Sequence, residues 1–240
     1  MTLFTKRYPD VASTAAAHAH YRWLAAVTPA DIELPSLVHV RAQQLVFQLI
    51  EGVTPTARQL PDLAAALGRL HRAAAGGLTG ARLDRPHDAG GLTIADFVTS
   101  RREALHAAGR IQGVAPARLE TVLRYAAGLP PTIYKDSNLR NFLVTDRGVA
   151  VVDFDDLTLA PYGYDLAKLI ISTAMTHGPI QTAHILTALK RYNAHTAPDS
   201  CTFDDLACWA ELTWLLNAPY IGRNGYSQPW PKLRPWADPL

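Results

Sequence analysis

A two-part α/β (α+β) fold, with a short strand-bearing N-terminal part and a longer, mostly helical remainder, is predicted by three observations. Strand-like and helical runs alternate up to Ile50, and from about Pro55 to Leu129 the apolar spacing is helical. A compact β segment from about Tyr134 to Asp153 is then followed only by helical patterns.

Each element follows from its residues. Leu3-Phe-Thr-Lys-Arg7 alternates as a strand does, and Pro9-Asp10 breaks it. The Ala-rich run Val11–Val27 reads as a helix, with Ser13 or Thr14 as cap. Leu37–Val40 and Leu45–Ile50, separated by the polar Arg41-Ala-Gln-Gln44, form a hairpin. Glu51-Gly-Val-Thr-Pro55 interrupts the pattern and places a hinge near 48–53, which divides the chain into 1–53 and 54–240.

In the second part, Leu63, Leu67, Leu70 and His71 share one helical face, and Gly76 to Gly91 reads as a loop. Helices are expected from Thr93 to about Ala108 and from Pro116, suited to a first turn, to about Leu129. After the β segment, helices are expected near Tyr164–Met175, Ile180–Asn193 and Phe203–Asn217, before a tail rich in Pro and Trp.

Composition limits the function classes. A chain of 240 residues buries a core without disulfides or structural metal, and 48% hydrophobic against 18% charged residues argues against disorder. A net charge of +2 is too balanced for a nucleic-acid binder or a polybasic membrane binder, which leaves small molecules as partners. Cys201 and Cys208, if carried on one helix, stand about 10 Å apart, too far for a disulfide. With no apolar leader and no run of roughly 18 apolar residues, a soluble, reduced, cytoplasmic protein is expected.

The chemistry concentrates in Tyr134–Asp156. Phe142-Leu-Val and Val149-Ala-Val-Val152 flank the turn residues Asp146-Arg-Gly148, and counting outward from Arg147 sets Asn141 against Asp153 at the open end. An amide oxygen and a carboxylate there suit Mg²⁺ shared between protein and phosphates. Asp136 enters the same end five residues before Asn141. Phosphorylating a hydroxyl needs this division: two groups for the metal and one carboxylate to orient the hydroxyl and accept its proton.

Tyr134–Leu169 resembles the catalytic core of the aminoglycoside phosphotransferase and choline-kinase-like family. The resemblance implies a protein-kinase-like two-lobed fold with a reduced, β-containing N-lobe and a mostly helical C-lobe. It implies Asp136 as catalytic base, Asn141 and Asp153 as metal ligands, and ATP with Mg²⁺ as cofactors. Tyr164-Asp165-Leu-Ala167 is similar to a helix start whose Asp braces the catalytic loop, and Leu63–His71 to the helix after the hinge. Lys6, by order of elements, matches the phosphate-binding lysine, and Gln48 and Ile50 are the backbone positions for adenine, next to a gatekeeper-like Phe47.

Two departures stand out. Tyr134 replaces the family's His two residues before the Asp, and no glycine-rich hairpin precedes Lys6. Val11–Val27 offers Lys6 no Glu partner, so Lys6 is either held differently or a surface lysine. Slow or weak ATP turnover is therefore expected unless the tail or a partner covers the nucleotide.

Asp155 reads either as a second metal ligand or as a cap to the chain leaving the strand, and Asp165 as a second metal ligand or a structural N-cap. His18 and His20, two apart on a helix, face different ways, so no metal site is expected there. The aromatic tail has two readings, core packing or an acceptor platform from Trp209, Trp214, Tyr220 and Trp230, with Tyr226 beside it. From His177 onward five acids balance five bases, so a polycationic acceptor is not favoured. The expected activity is transfer of the ATP γ-phosphoryl group to a hydroxyl of a small metabolite or antibiotic: a sugar, aminoglycoside-like or nucleoside acceptor. The alternatives are a pseudokinase and a non-catalytic nucleotide- or small-molecule-binding module.

Overall fold

Alternation in Leu3–Arg7 becomes strand β1 (Leu3–Arg7), which the computed structural model, describing residues 2–197, 200–237 and 239, places at the edge of an antiparallel sheet. The sheet runs β1, β4 (Gln44–Gln48), β3 (Leu37–Arg41), and Arg41 pairs with Gln44 to close a turn of two residues. Helix α1 (Val11–Val27) covers it, and Ala17, Leu45 and Phe47 form a small core of their own, with Tyr21 edge-on to Phe47 at 5.5 Å. Asp10 caps α1, not Ser13 or Thr14: its carboxylate accepts the Ser13 N–H at 2.7 Å. The extended backbone of Asp10 sets it just outside the first turn and makes Ser13 the donor.

The two parts are stitched together twice. Strand β2 (Ile32–Glu33) leaves the small sheet region and pairs in parallel with β9 (Gly148–Val151), so it crosses the division expected at residue 53. Val53 exchanges backbone hydrogen bonds of 3.0 and 2.9 Å with Val144 of β8 (Phe142–Thr145). Gly52 permits this approach, since a Cβ there would lie 3.0 Å from both Leu143 Cβ and the Val144 carbonyl oxygen.

The large part contains α2 (Leu60–Ala74), β5 (His87–Asp88), β6 (Thr93–Ile94), α3 (Val98–Gln112), α4 (Pro116–Ala127) and β7 (Pro131–Tyr134), then β8, β9, β10 (Thr158–Pro161), α5 (Tyr164–His177), α6 (Thr182–Asn193) and α7 (Phe203–Asn217). Helix α3 starts at Val98 rather than Thr93, because Thr93-Ile94 pairs with His87-Asp88 and the Asp96 carboxylate then accepts the Thr99 N–H at 2.6 Å. Every residue from Tyr164 to Met175 is buried, which makes α5 the axis of the core, packed between α7 and α2. Cys201 precedes α7 and Cys208 lies within it, both as free thiols. Among the described residues no helix is long and apolar enough to cross a membrane.

Candidate active site

The β8–β9 hairpin brings Asn141 and Asp153 to one end, one residue out of the expected register. Phe142 pairs with Val151 and the turn is the two residues Asp146-Arg147, so Asn141 stands opposite Val152, whose N–H it accepts at 2.9 Å. Asp153 lies one position beyond, with φ of +59°, and both side chains still line the same cavity of about 420 Å³. Lys6, Gln48, Ile50, Arg140 and Asp155 line it too. Gln48 and Leu49 have their amides bonded to Ser36 and Thr2 carbonyls at 2.8 and 2.9 Å.

Lys6 is not a free surface lysine. Its ammonium contacts the Asp153 carboxylate and lies 2.6 Å from Asp155 Oδ2, and Asp155 also accepts from Tyr8 Oη at 3.1 Å. Burial alone would lower the pKa of Lys6, but hydrogen bonds and charge from Asp153 and Asp155 outweigh it and raise the pKa. The missing Glu of α1 is thus replaced by carboxylates across the cleft.

Asp136 sits in the loop between β7 and β8 with φ of +58°. Its carbonyl accepts from the Asn138 N–H at 2.7 Å and from Asn141 Nδ2 at 2.8 Å, which ties the candidate base to the candidate metal ligand and leaves Asn141 Oδ1 for a cation. Among the described residues the non-glycine residues with left-handed backbone are Asp136, Asp153 and Asn224, and Asn224 Oδ1 accepts from Arg140 at 2.8 Å on the rim of the same cavity. Such conformations cost about 1–3 kcal/mol each and concentrate where geometry serves a site.

One stripe of α5 holds this loop. Asp165 accepts the Ser137 and Lys135 N–H groups at 2.9 and 3.2 Å, with His71 Nε2 at 3.5 Å, and Ser172 Oγ accepts the Leu139 N–H at 2.9 Å. Asp165 is fully buried and is not an N-cap, since Gly163 occupies that position. Burial opposes its ionisation, yet the His71 contact, the Lys135 charge and the Ser137 bond prevail and hold its pKa below the usual carboxylate value. Its full enclosure by protein donors removes it as a metal ligand. His71 Nδ1 shares a 2.7 Å hydrogen bond with Tyr192 Oη.

Lys168, between Asp165 and Ser172 on that stripe, was not singled out in the sequence. Its ammonium bonds Asn217 Oδ1 and lies 3.3 Å from Asp136 Oδ1. The three-residue spacing from Asp165 is the signal that could have found it, because residues three apart share a helix face.

Of the two readings of the aromatic tail, core packing holds for Trp209 and Trp230, and Trp209, Trp214, Tyr220 and Trp230 form no shared platform. Trp209 is 0% exposed among Phe97, Tyr125 and Tyr164, and Trp230 is 1% exposed with its indole N–H on Glu211, so neither ring offers a face. Trp214 faces a separate cavity of about 210 Å³ beside Glu211 and Arg234, which shares no lining residue with the first. Of the four, only Tyr220 is exposed, at 45%. Tyr226 is buried and accepts from Asn138 Nδ2 at 2.8 Å, supporting the loop from behind.

The donor set accommodates a metal only in part. Asn141 Oδ1 and Asp153 are hard oxygen donors, and among the described residues no three His, Cys, Asp or Glu side chains cluster to hold an ion. Such a pair suits Mg²⁺ that arrives already bound to phosphates. Lys6 now occupies the cationic position between Asp153 and Asp155, which marks that position as one made for positive charge.

Residues 1–215 match the model of the phosphotransferase enzyme family. No curated protein sequence matches the chain. Solved structures with the same fold include a choline/ethanolamine kinase family protein from Mesorhizobium loti, 16% identical with a TM-score of 0.58, the match covering 89% of this chain and 70% of that one. A putative fructosamine-3-kinase from Thermobifida fusca is 20% identical with a TM-score of 0.59, covering 93% and 81%. The aminoglycoside phosphotransferase APH(3'')-Id from Streptomyces rimosus, in complex with ADP and streptomycin, is 18% identical with a TM-score of 0.59, covering 90% and 87%. With a family match over most of its length and a protein-kinase-like fold, the chain belongs to the phosphotransferase enzyme family.

Proposed function

We propose that the protein transfers the γ-phosphoryl group of ATP to a hydroxyl of a small molecule. The observation that carries this reading is that Asn141 and Asp153 line one cavity with Lys6, Gln48 and Ile50, while a 2.8 Å hydrogen bond from Asn141 to the Asp136 carbonyl ties in the loop that carries Asp136. The Gln48 carbonyl and Ile50 amide read the adenine, and Lys6 moves from the carboxylates to the phosphates when nucleotide enters. Asn141 and Asp153 hold Mg²⁺, which when bound neutralises charge on the phosphates. Asp136 orients the acceptor hydroxyl and takes its proton as oxygen attacks the γ-phosphorus and ADP leaves. Asp155 holds Lys6 rather than a second ion. On this reading the chemistry lies at the junction of a small lobe, 1–53, and a large lobe, 54–240.

Lys168 is 5% exposed and 3.3 Å from the Asp136 carboxylate, and Arg140 lines the same cavity as Lys6, Gln48 and Ile50. From His177 onward the chain has no acidic surplus to receive a polycation, so the acceptor is a neutral or anionic alcohol. The test is incubation with Mg²⁺, γ-¹⁸O-labelled ATP and a mixed pool of sugars, sugar acids, nucleosides and aminoglycosides, followed by mass spectrometry. A labelled monophosphate of an uncharged or acidic alcohol is the expected product, whereas nucleotide binding with no labelled product supports a pseudokinase.

A further inference from the structure

Both hydrogen-bond donors that reach the Asp136 carboxylate reach the same oxygen. Tyr134 Oη donates to Oδ1 at 2.9 Å, and the Lys168 ammonium stands 3.3 Å from that atom. Neither donor is free to wander. The Tyr134 ring packs edge-on against Tyr164 at 5.2 Å, with the Arg101 guanidinium 5.0 Å from its centroid, and Arg101 is itself bonded to Thr158 at 2.6 Å. Lys168 is 5% exposed, anchored by Asn217 of α7 and 6.0 Å from the Tyr226 ring.

A carboxylate that serves as base must present one oxygen to the incoming hydroxyl, and a side chain with two equivalent oxygens and a free torsion loses time in unproductive poses. We propose that Tyr134 and Lys168 form a two-donor clamp on Oδ1, so that Oδ2 is the oxygen that receives the acceptor's proton. Both are positioning residues that act through Asp136, and Tyr134, which departs from the family's His, gains a role by that change. The inference rests on the phosphotransferase reading above.

Its test uses water as the acceptor, so no alcohol need be known: release of phosphate from Mg-ATP by the full-length chain, compared with Tyr134→Phe, Lys168→Met, Lys168→Arg and the Tyr134→Phe/Lys168→Met pair. Tyr134→Phe removes only the hydroxyl, and circular dichroism shows whether the lysine variants fold. The clamp predicts that each single variant lowers kcat about tenfold or more with KM for Mg-ATP unchanged. Lys168→Arg is expected to recover part of the loss, and the double variant to lose less than the product of the two. A merely structural role shifts thermal stability without this split between kcat and KM. Release that depends on Asp136 but is unchanged by Tyr134→Phe overturns the clamp alone. Release that is no faster in the wild type than in Asp136→Ala overturns the phosphotransferase reading beneath it.

Discussion

Two lysines meet aspartates on opposite sides of the candidate site, and solvent separates their fates. The Lys6 side chain is 27% exposed and the Lys168 side chain 7%, while the aspartates they meet, Asp153 and Asp136, are each 48% exposed, so the difference lies in the lysines. The Lys6 pKa is raised because two carboxylates outweigh its partial burial, and that of Lys168 is lowered chiefly by burial. On the hairpin side the charges are exchangeable, so a phosphate-bound cation can take the place of an ammonium. On the α5 side the Lys168 ammonium is buried and anchored by Asn217, so moving it strands a buried charge. On the proposed reading, one half of the site receives the ligand and the other holds still.

The largest effect that would break this contrast belongs to Asp165. Asp165→Asn removes the charge from an acceptor that serves the Lys135 and Ser137 N–H groups beside Asp136, at a cost of about 3 kcal/mol. The pKa of Asp165 is depressed in the folded protein, so its contribution is complete above the ordinary carboxylate range near pH 4 and is lost as pH falls through the depressed value. Denaturant melts should therefore show the variant well below wild type at pH 7, with the gap closing under acid. A gap that is constant with pH would place the loss in packing rather than charge.

A smaller effect on stability is expected on the exposed side. Lys6→Met removes a partly solvated ion pair worth about 0–1 kcal/mol, so the melting transition should hardly move. Mg-ATP affinity by calorimetry should nonetheless fall about tenfold, since one desolvated charge contact with phosphate is worth roughly 1.5–3 kcal/mol. Loss of stability with affinity intact would invert the contrast drawn between the two lysines. The smallest effect is expected at Tyr220, whose ring is exposed outside the buried core: Tyr220→Ala should change stability by no more than about 0.5 kcal/mol. A larger loss by thermal melting would show that the ring packs.

Sequence pattern revealed the parts of this arrangement that depend on local periodicity. The strand Leu3–Arg7 and the helices Val11–Val27 and Phe203–Asn217 match their expected ranges because alternation, an Ala-rich run and a capping Thr202 act within a few residues. Asn141 and Asp153 were legible as neighbours because any hairpin through Asp146-Arg-Gly148 joins them, but the one-residue register depends on whether the turn holds two residues or three. Thr93-Ile94 forms a strand rather than a helix start because it pairs with His87-Asp88, and strands of two residues are too short to show alternation. Lys168 stayed hidden because a lysine in an apolar helix gives no sign of its partner until α7 supplies Asn217. The tryptophans carried too little information, since an aromatic ring serves a core and a sugar equally well until its burial is known.

Central to the proposal is Asp136 as the base for the acceptor hydroxyl, beside phosphates whose Mg²⁺ Asn141 and Asp153 would hold. The most direct measurement is the rate of Mg-ATP consumption by Asp136→Ala beside wild type, with nucleotide affinity read on the same samples. A fall of about 10²–10⁴ in rate with affinity retained is predicted. Equal rates in the two proteins would contradict it.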